Sequence, residues 1–450
     1  MTPRPNILFM HSHNTGRMVQ PFGHAVSTPN LQRLARQGVL FRQAFAAAPT
    51  CSPSRASFLT GMYPHCCGML GLAHRGFAMD DDAPHLARTL AAAGYLTALA
   101  GVEHTAPDVR QVGYSRLLST MDTNYPELPQ NDPVAAVVDF LAGKHARPFF
   151  VSLGLNETHR PFPPADPARF ADEDERYCLP PPPFPDAPEL RRDLADFKAS
   201  ARAMDAAYGT VLDALDRLGL ADTTVVFCFS DHGLQFPRHM SNLTDAGLGV
   251  YLVVRGPGGF AGGRVVDAPV SLIDLAPTVY DLAGAAVPAG VQGTSLRPLL
   301  DGRVDGLHET LFGESNYHAA YEPMRSARTR RYKYIRRFDD HRDRAVLPNI
   351  DDTPSKQFFL RHGLGERKVP REALYDLVFD PCELNNLAAD PEFAEPLADM
   401  RGRLAAWMEA TADPLLAGGP VLPREPAVAN DADGDSPNGP VLPVGVRPRS

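Results

Sequence analysis

From residue 5 to about residue 285, short apolar runs alternate with amphipathic helical stretches, and no other feature of the 450-residue chain limits its fold as much. "NILFM" (6–10) reads as a strand, and "TPNLQRLARQG" (28–38) as a helix capped at Thr28 and stopped at Gly38. "APHLARTLAAAGYLTALAG" (83–101) reads as a helix, a stop at Gly94 and a strand, while "RPFFVSLGL" (147–155) and "TTVVFCFSDHG" (223–233) are further strands. Between the last two, Leu194, Phe197, Ala201, Met204, Tyr208, Val211, Leu215 and Leu218 form the apolar stripe of a long helix covering a sheet. The alternation predicts an α/β sandwich, a large mixed and mostly parallel sheet between helical layers. Chemistry in such sheets gathers beyond the carboxyl ends of the strands. The polar clusters "HSHN", "NETH" and "SDHG" each follow an apolar run, so they are expected to converge.

Past about residue 310 the pattern changes. "MRSARTRRYKYIRRF" (324–338) reads as antiparallel strands, and a last helix is expected at about 391–410, giving a smaller C-terminal α+β subdomain. The expected division is a catalytic domain over 1–312, the subdomain over 313–412 and a tail over 413–450. The tail is rich in Pro, Gly and Asp and repeats "GPVLP", which predicts disorder. Its "DADGD" lacks the later Glu and flanking helices of a calcium loop, so a solvated acidic segment is expected. The net charge of −9 argues against nucleic acid as a partner. No stretch reaches the roughly 20 apolar residues of a membrane span, and "MTPRPNILFMHSH" has no leader-like core, so a cytoplasmic chain with no membrane partner is expected. The six cysteines show no CxxC pair and no disulfide framework, which implies reduced thiols. Nothing in the sequence fixes an oligomeric state.

"AAAPTCSPSRASFLTGMYPH" (46–65) places Cys51 among Pro49, Ser52, Pro53 and Ser54, residues of turns and helix starts rather than of a packed core. A thiol at a helix start is expected to be accessible and to have a depressed pKa, and Arg55 then falls on the same helix face. "CSPSRASFLTG" resembles the signature of the type I sulfatases of the alkaline phosphatase superfamily. "PNILFM", "TPNLQRLARQGVLFRQAF", "THRPF", "FSDHG" and "ALYDLVFDPCELNNLA" are similar to further segments of that family, in order, over residues 5 to about 410. "HCCGMLGLAHRG" and "GVEH" look most like the heparan N-sulfatase (sulfamidase) branch.

The resemblance implies an alkaline phosphatase-like fold and oxidation of Cys51 by a formylglycine-generating enzyme. The hydrated aldehyde would be the nucleophile, with one oxygen to attack sulfur and a second to expel the sulfated group, and Arg55 would hold it in place. It further implies one divalent cation, calcium in the family, at His13, Asn14, Cys51, Asp231 and His232. The family carries two acidic residues where His13 and Asn14 stand, and an imidazole shifts preference toward Mn²⁺ or Zn²⁺. His104 and His159 would contact the sulfuryl group or protonate the leaving atom. Val102 replaces a sulfamidase Lys and Met240 a family Lys or Arg, leaving Arg238 or His239 to supply charge. Glu157 and Arg160 are expected to form a surface pair. The expected activity is hydrolysis of a sulfate ester or sulfamate on a small anionic substrate, a sugar. The alternatives are a phosphonate monoester or phosphodiester hydrolase of the same superfamily, and a catalytically impaired sulfatase-like binding protein.

Overall fold

The computed structural model describes residues 4–121, 127–165, 173–339 and 342–446. The elements that build the larger layer are β1 (Asn6–Ser12), α1 (Pro29–Gln37), β2 (Val39–Phe41), α2 (Cys51–Thr60), α3 (Leu86–Ala92), β3 (Leu96–Gly101) and β4 (Arg116–Leu117). They continue with α4 (Pro133–Ala142), β5 (Phe149–Gly154), α5 (Pro188–Arg217), β6 (Thr224–Ser230), β7 (Leu252–Arg255), β8 (Arg264–Val266) and α6 (Leu275–Ala283). Among the described residues the strands form one sheet of eight, ordered β8-β2-β7-β6-β1-β5-β3-β4. β1 runs parallel to both β5 and β6, and only β7 is antiparallel to its neighbours. The mixed, mostly parallel sandwich is therefore as expected.

Alternation along β1 explains the two layers. Ile7 and Phe9 face a core shared with Phe58, Leu59, Leu86, Leu90 and Val279 of α2, α3 and α6. Leu8 and Met10 face the opposite core, with Leu31, Val137, Met204, Tyr208 and Val211 of α1, α4 and α5. The long-helix stripe is buried as read from the sequence, except Leu218, which lies past the end of α5 and is exposed. Thr28 sits at the cap position of α1 without a side-chain capping bond. Asp205 from α5 accepts from the Asn30 and Leu31 amides instead, so a tertiary contact does the capping.

The C-terminal layer contains β9 (Leu311–Tyr317), β10 (Tyr321–Arg328), β11 (Tyr332–Arg337), α7 (Pro354–Arg361), β12 (Glu372–Asp376) and α8 (Ala394–Ala410). The four strands pair antiparallel in sequence order, and Met400, Leu404 and Trp407 of α8 pack on them. The tail departs from expectation. Ala427–Asn430 (β13) and Val441–Val444 (β14) form an antiparallel hairpin, and Val421, Ala427 and Ala429 are buried with Met69, Leu70, Phe77 and Tyr317. The acidic side chains of "DADGD" are exposed, as expected, but the segment is also held in place: Asp433 pairs with Arg342 at 2.6 Å, and the Asp435 carbonyl accepts from Lys356 Nζ at 2.7 Å. Composition suggested disorder because the segment is rich in Pro, Gly and Asp, yet Val421, Ala427 and Ala429 dock, while Leu416, Val441 and Leu442 stay exposed.

A buried charge network ties the layers together. His65, after α2, pairs with Glu314 of β9, and fully buried Arg325 of β10 donates to Asp413 at 2.6 and 3.0 Å. Burial alone would lower the His65 pKa, but the Glu314 carboxylate outweighs it and lifts the imidazole to about 10. A pKa raised above its unfolded value contributes stability that is intact below pH 6.5 and is lost as pH rises toward 10. The urea midpoint is therefore expected to fall between pH 7 and pH 10 more steeply in wild type than in Glu314→Gln. Parallel slopes would show that this pair does not contribute.

Candidate active site

The register of the central strands builds the site. Ser12 of β1 lies opposite Ser230 of β6, so His13-Asn14 and Asp231-His232 leave the sheet side by side. Beyond β5, the His13 amide donates to the Glu157 carbonyl at 2.9 Å and the Thr158 amide to the His13 carbonyl at 2.8 Å, which brings His159 alongside. Gly154 is required here, because a Cβ would stand 2.1 Å from the Val102 carbonyl and 2.7 Å from the His11 ring. The four-atom group of His13, Cys51, Asp231 and His232 lies within 4.8 Å, and all four residues are buried.

Cys51 is the first residue of α2, with Sγ 3.4 Å from His232 Nε2 and 3.8 Å from Asn14 Oδ1. Here the structure corrects the sequence reading. The thiol is only 3 % exposed, and burial followed by the Asp231 charge pushes its pKa well above the usual thiol value, so it is neither accessible nor acidic. Arg55 lies one turn on and fully buried. It donates to Asp231 Oδ2 at 3.0 Å, to His11 Nδ1 at 3.0 Å and to the Val102 carbonyl at 3.4 Å, bracing the cluster's one carboxylate.

The donor set suits a divalent ion. Both ring nitrogens of His13 are buried without a hydrogen-bonding partner, and Nε2 stands 3.7 Å from Asp231 Oδ2. Burial, then the neighbouring His159 and Arg55, lower the His13 pKa well below its ordinary value, which keeps the ring neutral and able to ligate. His232 Nδ1 donates to the Gly233 carbonyl at 3.1 Å, leaving Nε2 a lone pair toward the cluster. Asn14, at φ +65°, donates through Nδ2 to Gln235 Oε1 at 2.8 Å, which turns its Oδ1 toward Cys51. Two imidazoles, one carboxylate and one amide oxygen make a softer set than the all-oxygen cage calcium prefers.

Cys51 opens onto a cavity of about 580 Å³ lined by His74, Arg75, His104, His159, Arg160 and Asp351 among others. The His159 ring lies 4.4 Å from that of His13, and its Nδ1 donates to the Arg160 carbonyl at 2.6 Å, leaving Nε2 free. His104, at φ +65°, stacks on His74 with a 3.0 Å Nδ1···Nε2 hydrogen bond. Burial, then His74 and Arg55, keep it neutral.

The missing cations are not replaced where the sequence suggested. Arg238 lines a different cleft, and His239 is buried against Phe184 at 4.5 Å. Instead Arg75 reaches the cavity wall, bonded among the described residues only to the Ala319 and Pro437 carbonyls, and Arg160 lines it while paired with Asp193 at 2.5 Å. Arg160 is thus no surface partner of Glu157. Sequence reasoning missed His74, Arg75, Gln235, His318 and Asp351. "LAHRG" was the available signal for the first two; the others enter through long-range contacts, as in the 2.7 Å bond from Gln235 to Asp351.

An alkaline phosphatase-like sheet with a ligand cluster at its strand ends is the framework of metal-assisted ester hydrolases. Within that class the sulfatase family model matches residues 5–285, and the chain belongs to the sulfatase family. A second model, N-sulphoglucosamine sulphohydrolase, C-terminal, matches residues 231–358. The chain is 30 % identical to human N-sulphoglucosamine sulphohydrolase over 446 residues, covering 87 % of each. It is 26 % identical to an ulvan-active sulfatase of Formosa agariphila, covering 91 % of this chain and 76 % of that one. Among solved structures it is similar to one in complex with its substrate D-glucosamine-2-N,6-O-disulfate, with a TM-score of 0.71 at 19 % identity and coverage of 91 % and 99 %. The phosphonate monoester hydrolase of Agrobacterium radiobacter shares the fold at a TM-score of 0.67, with 22 % identity over 91 % and 96 % of the two chains. The family uses a metal ion and a formylglycine, and its members are sulfuric ester hydrolases. No helix among the described residues is long and apolar enough to cross a membrane.

Proposed function

We propose that the chain hydrolyses a sulfate ester or sulfamate on a sugar, with residue 51, after oxidation to formylglycine, as the nucleophile. The observation that carries this is the placement of Cys51 between a neutral histidine- and carboxylate-bearing cluster and a cavity lined by Arg75 and Arg160. A bound divalent ion would polarise the sulfuryl oxygens and offset the charge that develops on them. His13, Asn14, Asp231 and His232 would hold it. Arg55 fixes the orientation of Asp231 and places a positive charge behind the nucleophile. Arg75 and Arg160 draw the anionic group in, supplying the charge that Val102 and Met240 do not. His159, its Nδ1 tied to the Arg160 carbonyl, lines the cavity and is placed to act through Nε2 on the departing oxygen or nitrogen, and the His74–His104 pair closes the same wall.

The donor set favours Zn²⁺ or Mn²⁺ over Ca²⁺. Metal analysis of the purified protein is expected to show one of the first two near stoichiometry, and His13→Ala to lower its affinity at least about tenfold. Stoichiometric calcium retained by His13→Ala would overturn that assignment. The activity itself is tested by parallel assays on an aryl sulfate, N-sulfoglucosamine and an aryl phosphonate monoester. Faster turnover of the phosphonate ester would replace the sulfatase reading with the phosphonate hydrolase one.

A further inference from the structure

Between the two layers lies a second cleft, of about 340 Å³, whose polar groups the hydrolytic site does not use. One wall is the loop carrying Arg238, Ser241 and Thr244. The other is formed by β10–β12 and the turn at Cys382-Glu383. Arg238 and Arg367 both line it, and among the described residues neither guanidinium has an acidic or hydrogen-bonding partner. Burial, then the charge of Arg367, lowers the Arg238 pKa. Two neighbouring like charges without a counter-ion mark a place for an anion.

Three further atoms point the same way. Ser241 Oγ, Thr244 Oγ1 and Glu383 Oε1 are buried without hydrogen-bonding partners, with Ser241 only 3 % and Glu383 only 5 % exposed. Unpaired buried polar atoms are rare because each loses its hydration without compensation. The other Glu383 oxygen accepts from the Asp245 amide at 2.6 Å, and burial and the Asp245 charge push the carboxyl up to about 8. Lys333 and Arg328 oppose that rise without cancelling it, and a raised pKa lets the free oxygen hold a proton and join the two hydroxyls as a donor. Arg238, Ser241 and Glu383 also hold left-handed backbone, at φ +69°, +63° and +54°, a conformation non-glycine residues seldom adopt and one that collects at ligand clamps. Met324, Ile335 and Tyr375 supply an apolar flank of the kind a sugar ring packs on.

We propose that this cleft is a second binding site that takes an anionic sugar: Arg238 and Arg367 hold the charged group, and Ser241, Thr244 and Glu383 bond to its oxygens. The segment Asn349–Ile350 lines this cleft and Asp351–Thr353 lines the hydrolytic cavity, so one short stretch of chain walls both. The anion could therefore be a free sugar acid or a neighbouring residue of a longer substrate.

Calorimetric titration of Cys51→Ala protein, in which no hydrolysis interferes, tests the site with D-glucuronate as probe and D-glucose and sodium sulfate as controls. Glucuronate is expected to bind at least tenfold more tightly than either control. Adding Arg238→Gln or the exposed-site change Arg367→Gln is expected to weaken it at least tenfold. A disaccharide carrying glucuronate beside a sulfated residue distinguishes the sources. A gain over free glucuronate that Arg367→Gln removes assigns the site to the substrate chain, and equal affinity assigns it to a free sugar acid. No glucuronate binding, or binding that both arginine changes leave intact, overturns the proposal. Neither result bears on the hydrolytic reading, which is measured separately on wild type.

Discussion

Cys51→Ala protein is expected to turn over an aryl sulfate at least about 10³-fold more slowly than wild type, with its thermal unfolding midpoint essentially unchanged. The two halves of this expectation rest on different observations. The thiol's hydrogen-bonding contacts are long, 3.4 Å to His232 and 3.8 Å to Asn14, so its removal releases little binding energy within the fold. Among the described residues, Cys51 is the one thiol grouped with His13, Asp231 and His232. Mass spectrometry of the wild-type tryptic peptide ending at Arg55 supplies the complement, since the active chain is expected to lack the residue 51 thiol. Undiminished turnover by Cys51→Ala would remove residue 51 from the chemistry.

The second large effect concerns stability. Asp413→Ala is expected to destabilise the protein by about 3–5 kcal/mol, the range for removing one partner of a fully buried ion pair. Arg325 has no exposure to solvent. It would keep its carbonyl partners Ser315 and Met324 but lose both bonds to the carboxylate. Asp433→Ala, at an exposed pair with Arg342, is the control and should cost less than about 1 kcal/mol. Equal, small losses in urea unfolding would contradict the importance given to the buried network.

The layered fold and the convergence of three strand ends were legible because they follow from local pattern: period-two strands, a stripe every three or four residues, and polar clusters at the ends. Cys51, Arg55, Asp231 and His232 were legible as a motif, and the geometry brings them together. What local pattern could not convey depends on burial and on distant partners. The Cys51 thiol is raised rather than lowered because α2 starts inside the protein, against Asp231. Arg75 reaches the cavity, and Arg238 a separate cleft, because of backbone turns their sequence neighbours do not announce. The tail misled for the same reason. Its mean composition is that of a disordered segment, but docking is decided by Val421, Ala427 and Ala429 and by charges waiting on another layer.

The placement of Pro437 and Asn438 on the wall of the hydrolytic cavity sets an order of events during synthesis. Cys51 is synthesised well before the loop that encloses its cavity. Until that loop docks, the nucleophile's side of the protein is open to large visitors, and afterwards the thiol is nearly sealed. An enzyme that oxidises residue 51, as the proposed function requires, would therefore have a window that closes with folding, and slowing the docking of the hairpin is then expected to raise the fraction of chains with residue 51 converted.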